Sequence, residues 1–150
     1  MHCPSPAGAA RSPGARWGQV NGGEWMKRDM ELIRELLLYF ESKPGPSMLM
    51  PADVEIPGHE PPDVHYHILL LCEAGFLTCE RLESSTTPSR LVDAYPFDLS
   101  WAGHEFLDAA RNDTLWDQAK RMLKSEGLTV GVGLLQALLV SLAKQRLSLT

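Results

Sequence analysis

A chain of 150 residues, 44% hydrophobic and 22% charged, has the composition of a single globular domain with one core. Its net charge is −5 and its Lys and Arg residues are scattered, which gives no support to an electrostatic nucleic-acid footprint. The longest uncharged apolar stretch, residues 128–143, is shorter than the roughly 18 residues of a membrane span and is interrupted by Gly131, Gly133 and Gln136, so no membrane helix is expected. Cys3, Cys72 and Cys79 are odd in number and lack a framework spacing; this predicts reduced thiols and a cytoplasmic protein.

Residues 1–25 are rich in Pro, Gly, Ala and Ser and show no period, the pattern of a disordered leader. Arg11 and Arg16, with no acid before Glu24, give it a loose likeness to a transit peptide, but it has no apolar centre of a secretory signal. Gly22-Gly23-Glu24-Trp25 can be encoded by a purine-rich run of the kind that precedes a bacterial start codon, which makes Met26 the expected natural start.

From Met26 the pattern changes. Met30, Ile33, Leu37 and Phe40 recur at helical spacing, and Leu32, Leu36 and Tyr39 form a second apolar row, so this helix should be covered on two faces, by the core or by an oligomer contact. It should stop at Lys43-Pro44-Gly45-Pro46. Residues 47–56 are expected to hold a short edge strand ending at Pro57-Gly58.

Glu60-Pro61-Pro62-Asp63 marks the start of a second helix, which should run to Ala74 and be capped by Gly75. Val64, Ile68 and Leu71 form its inward stripe, flanked by a partly buried His67, while Tyr66, Leu69, Leu70 and Glu73 point elsewhere. Phe76, Leu77 and Cys79 then begin a strand, residues 83–89 a polar loop, and residues 90–97 a returning strand.

Ser100 is the expected N-cap of a third helix that Trp101 and Phe106 should lock to the core. Asn112-Asp113-Thr114 marks a break and a fresh cap, followed by Leu115, Trp116, Ala119, Met122 and Leu123 in helical register. Thr129 should cap a last helix packed through Leu134, Leu138, Leu142 and Leu147. The fold expected is mainly α with a small β-hairpin: a winged-helix-like domain over residues 26–150 with a C-terminal helical extension.

Three segments, residues 26–34, 64–77 and 99–113, resemble a bacterial and phage family known as domain of unknown function 2513. The last contains the box Trp101-Ala102-Gly103-His104-Glu105-Phe106-Leu107. This resemblance brings no established activity. It makes Ser100, Trp101, Gly103, His104, Glu105, Phe106, Asp108, Arg111, Asn112 and Asp113 a structural family box rather than an active site. The order helix, Leu-rich helix ending in Ala-Gly, wing and capped helix is also similar to winged-helix, helix-turn-helix-type transcription regulators, whose third helix enters the DNA major groove.

No catalytic constellation is found. His104-Glu105-x-x-Asp108 stands one residue from a zinc-protease pattern, but the plainer reading puts the acids near a helix start with His104 bonded locally. His65 and His67 lie two apart on a helix and do not form a ready chelate, even with Cys72 and Cys79 near in sequence. No nucleophile elbow or phosphate loop appears, so no cofactor, metal or small-molecule substrate is expected. The expected function is a non-enzymatic regulator or adaptor of phage or prophage type, with a metal-dependent hydrolase a distant third reading. DNA is the first partner to test on fold analogy, and a protein partner or homodimer the alternative. The expected contact residues are His65, Tyr66, Leu69, Leu70, Arg81 and Arg90. The second helix carries no Arg, Lys, Asn or Gln for base edges, and its outward leucines favour a protein.

Overall fold

The computed structural model describes residues 26–128 and 131–148. Among these described residues five helices, one 3-10 turn and one hairpin follow in the order α1 (Met30–Glu41), 3-10 turn (Pro51–Asp53), α2 (Pro61–Ala74), β1 (Leu77–Glu83), β2 (Leu91–Leu99), α3 (Trp101–Ala110), α4 (Asp113–Ser125) and α5 (Val132–Ser148). The expected leader and the Thr129 cap lie outside the described residues. This is a mainly helical, winged-helix-like layout.

Asp29 starts α1: its carboxylate accepts the N–H groups of Glu31 and Leu32, satisfying donors that the first turn leaves open. The first apolar row of α1 is buried throughout and the second is buried at Leu32 and Leu36, with Tyr39 half-buried against the core, so this helix is central to the core. It packs on α2, β2 and α3. After its end, Lys43 Nζ donates to the carbonyls of Ser47 and Phe97, tying the turn to β2.

The expected edge strand over residues 47–56 is absent. Leu49 N–H reaches Pro96 O at 2.9 Å, one strand-like bond, and the chain then closes into the 3-10 turn at Pro51. Pro51 has no N–H to extend a ladder, and Asp53 N–H turns back to Met50 O, so the segment cannot continue as a strand. It instead delivers Val54 and Ile56 to the core.

Pro61 and Pro62 open α2, where missing donors cost nothing, and Gly75 closes it in the left-handed region at φ 81°. The reversal that follows brings β1 back beside α2, and Cys79 bonds to Cys72 in a disulfide with Cα atoms 6.0 Å apart. The expectation of free thiols is thereby corrected. Seven residues of separation gave no framework signal, because the pairing is made by the fold-back at Gly75.

β1 and β2 pair antiparallel from Leu77↔Leu99 to Glu83↔Leu91, with irregularities between Thr78 and Cys79 and between Leu82 and Glu83. Pro96 is accommodated beside the first irregularity, where a ladder bond is already lost. Ser100 caps α3, accepting from Gly103 N–H, and Asn112 caps α4, accepting from Leu115 N–H. Phe106 stacks on Phe76 with centroids 5.6 Å apart and meets Trp116 edge-on at 6.5 Å.

Two packing expectations are corrected. Trp101 does not lock α3 to the core: it is 81% exposed, and Gly103, Phe106, Leu107 and Ala110 form the buried face. On α5 the buried row is Leu135, Leu139 and Leu142, whereas Leu134 and Leu147 are exposed and Leu138 is half-buried. Apolar residues surround that helix, so its own pattern selects no face; contact with α3 and α4 does.

Candidate partner interface on the second helix and the wing

The face that a winged-helix reading assigns to a partner is built by α2 and the β1–β2 wing. His65 is not free on it. Its Nε2 lies 2.9 Å from Asp93 Oδ1 on β2, and the same oxygen accepts Ala94 N–H at 2.8 Å. Asp93 thus fastens the wing to the helix at the position expected to reach outward, a role for which neighbouring sequence carries no signal. Tyr66 is half-buried and meets the His67 ring edge-on at 5.6 Å. Leu69 and Leu70 are half-buried as well, and Leu69 packs against the core, so the pair forms no open apolar patch.

His67 is 2% exposed and uses both ring nitrogens: Asp29 N–H donates to Nε2 at 2.8 Å, and Nδ1 donates to Asp63 O at 2.7 Å. Burial lowers its pKa below the ordinary value of 6.5, against the pull of Asp63 and Asp29 and with the help of nearby His59. The ring is a neutral joint between α1 and α2.

The two wing arginines do not act together. Arg81 folds back, donating to Cys72 O at the end of α2 at 3.4 Å and lying 3.7 Å from Glu83. Arg90 is exposed at the tip, where Ser84 N–H donates to Arg90 O. Ser84 lies three residues along β1 from Arg81, about 10 Å of strand. α2 and the wing, residues 61–99, carry six carboxylates against these two arginines. The face is acidic, and folding does not assemble the scattered cations into a basic patch there.

Cations gather elsewhere. Lys120, Arg121 and Lys124 line an open groove on α4 with Asp117 and Leu128, but Lys120 is paired with Glu31. In that neighbourhood Trp116 donates its indole N–H to Glu31, with Arg34 5.2 Å and Lys120 5.6 Å from the ring centroid. Arg34 also donates to the carbonyls of Ala110 and Arg111 and to Asp113, binding the α3–α4 joint.

The family box separates into two sides. Gly103 and Phe106 are internal, Ser100, Asn112 and Asp113 serve the two helix starts, and Trp101, His104, Glu105 and Asp108 face solvent. Asp108 is not at the helix start; it pairs with Arg111, which also grips Glu41 with two bonds of 2.7 and 2.6 Å. That grip lowers the Glu41 pKa and raises that of Arg111. His104 bonds locally through its backbone N–H, which donates to Ser100 O at 3.0 Å, while its ring makes no hydrogen bond among the described residues. No group of three or more His, Cys, Asp or Glu residues suited to a metal occurs among them, and Cys72 and Cys79 are spent on each other.

The sequence model described as "Hypothetical protein (DUF2513)" matches residues 27–129. The chain belongs to the DUF2513 family. A relative named "Uncharacterized protein", from Haemophilus influenzae (strain Rd), is 32% identical over 124 residues, covering 82% of this chain and 100% of the relative. No solved structure matches. Family membership therefore rests on both the family model and this relative, and the box around Trp101 falls within the matched residues. Among the described residues of this DUF2513 chain, no helix is long and apolar enough to cross a membrane.

Proposed function

We propose that this DUF2513 chain is a non-enzymatic adaptor that uses its winged-helix-like scaffold to bind a protein rather than DNA, in a bacterial or prophage setting. The observation that carries this reading is the charge of α2 and the wing, six carboxylates to two arginines over residues 61–99. A DNA reader neutralises phosphates with Lys and Arg, and each such contact gives a salt dependence. Here Arg81 is turned onto Cys72 O and Glu83, and His65 onto Asp93, leaving Arg90 alone at the tip. A duplex approaching this face would meet repulsion before any base edge.

Fluorescence anisotropy with a labelled random-sequence duplex at low salt tests the assignment. The expected result is no saturable binding. Binding that weakens steeply with salt and falls on Arg90→Ala, or on Arg81→Ala with Arg90→Ala, would establish the regulator reading in place of the adaptor.

A further inference from the structure

Trp101 is the most exposed large apolar side chain among the described residues, yet the backbone that presents it is held closely. Ser100 N–H donates to Phe76 O at 3.0 Å and Ser100 Oγ donates to Gly75 O. Gly103 lies so close that a Cβ there would stand 2.2 Å from the Phe76 oxygen. Phe106 stacks on the Phe76 ring one turn later. The first turn of α3 therefore cannot roll to bury the indole, and Trp101 projects from a fixed platform. An exposed aromatic on a backbone already fixed before binding is the kind of residue that anchors interfaces.

The same fold shows how an indole is satisfied when its partners are internal. Trp116 has Arg34 and Lys120 against its ring and Glu31 within hydrogen-bond reach, and Glu31 in turn pairs with Lys120. On α3 it is a carboxylate, Glu105, that follows Trp101 at the four-residue spacing by which Lys120 follows Trp116; Glu105 is exposed, so the two side chains share one face of α3. Unlike Asp108, which Arg111 neutralises, Glu105 has no ion pair among the described residues. The indole and the carboxylate are present and the cation is missing. A chain of net charge −5, with an acidic wing beside this helix, favours approach by a positively charged segment.

We propose that Trp101 and Glu105 form an anchor for an Arg- or Lys-bearing segment of a protein partner, the cationic group lying on the indole and pairing with the carboxylate. This rests on the adaptor reading above and names the chemistry of its partner. The test uses the full chain labelled with 5-fluorotryptophan, the Trp101 fluorine resonance being assigned through Trp101→Phe. Titration with a hexa-arginine peptide should shift that resonance and leave that of Trp116 in place, while a hexa-glutamate peptide shifts neither. Trp101→Ala should weaken hexa-arginine binding about tenfold, and Glu105→Gln severalfold.

Equal binding by Trp101→Ala would place the peptide on the acidic wing and overturn the anchor, as would an unmoved Trp101 resonance. Self-association that depends on chain concentration and disappears in Trp101→Ala would assign the site to a second copy and overturn it as well. The duplex-DNA titration is read separately. DNA binding through the wing defeats the adaptor reading, whereas a silent Trp101 without DNA binding defeats the anchor alone. Because Trp101 and Glu105 are exposed, both variants keep the fold, which the unchanged Trp116 resonance verifies.

Discussion

His67 accepts the backbone N–H of Asp29 through Nε2 at 2.8 Å, so a side chain from α2 satisfies the residue that caps α1. Protonating Nε2 removes the lone pair and sets a donor against a donor. The folded-state pKa is lowered from 6.5 chiefly by burial, so the unfolded chain takes up this proton first as pH falls. The sign follows: the contribution of His67 to stability is complete above about pH 6.5 and is lost as pH falls from there through the lowered folded pKa. Urea midpoints should decline over this acidic range. His67→Phe should be less stable at neutral pH and show a flatter profile there; an equally steep decline would assign the proton to another group.

Gly103 is required by contact rather than by backbone angle. Its Cα faces the carbonyl of Phe76, and an added Cβ would come within 2.2 Å of that oxygen, which also accepts Ser100 N–H. Backbone carbonyls cannot swing aside as side chains do. Gly103→Ala, although alanine is the better helix former, should therefore destabilise the chain by about 3 kcal/mol, the upper range of overpacking. Thermal unfolding decides this, and a variant as stable as the parent would mean that α3 can lift from the strand without cost.

The helix ends and the hairpin were legible because their causes are local: Ser100 and Asn112 reach three residues ahead, and Gly75 supplies its own left-handed turn. The double apolar row of α1 announced a central helix for the same reason. The orientation of Trp101 was not legible, since helical spacing permits either Trp101 or Gly103 to face inward and the choice is made by the Phe76 carbonyl. Arg34 gave no signal because its acceptors lie 76 to 79 residues away. At the candidate interface, the acidity of the wing could be read directly, but the closure of His65 by Asp93 required the two elements to be placed together.

Two arginines at the α3–α4 joint should behave differently. Arg34, with its side chain 12% exposed, makes three bonds across the joint and lies over Trp116. Lysine cannot reproduce that planar fork. Arg34→Lys should cost about 2 kcal/mol by leaving the α3 carbonyls without their donors. Arg111, 46% exposed, holds Glu41 with good geometry, but water competes for both, so Arg111→Ala should cost less than about 1 kcal/mol. Paired denaturation curves check the order; equal losses would mean that the exposed grip is as important as the covered one.

Reduction supplies the last test, because the Cys72–Cys79 bond closes a short loop around the α2–β1 turn. The chain-entropy relation gives about 2 kcal/mol for a loop of this size. Mass spectrometry after alkylation in denaturant without reductant should find Cys72 and Cys79 unmodified, and reductant should expose both. Cys79→Ser should lower the urea midpoint to that of the reduced parent, with little further change when reductant is added. The bond joins α2 to the first strand of the wing, and Cys72 is buried, so small thiols should reduce it slowly in the native chain and rapidly in urea. Alkylation of both residues without reductant would show free thiols, and Arg81, which donates to Cys72 O, would then be the remaining tie at this corner.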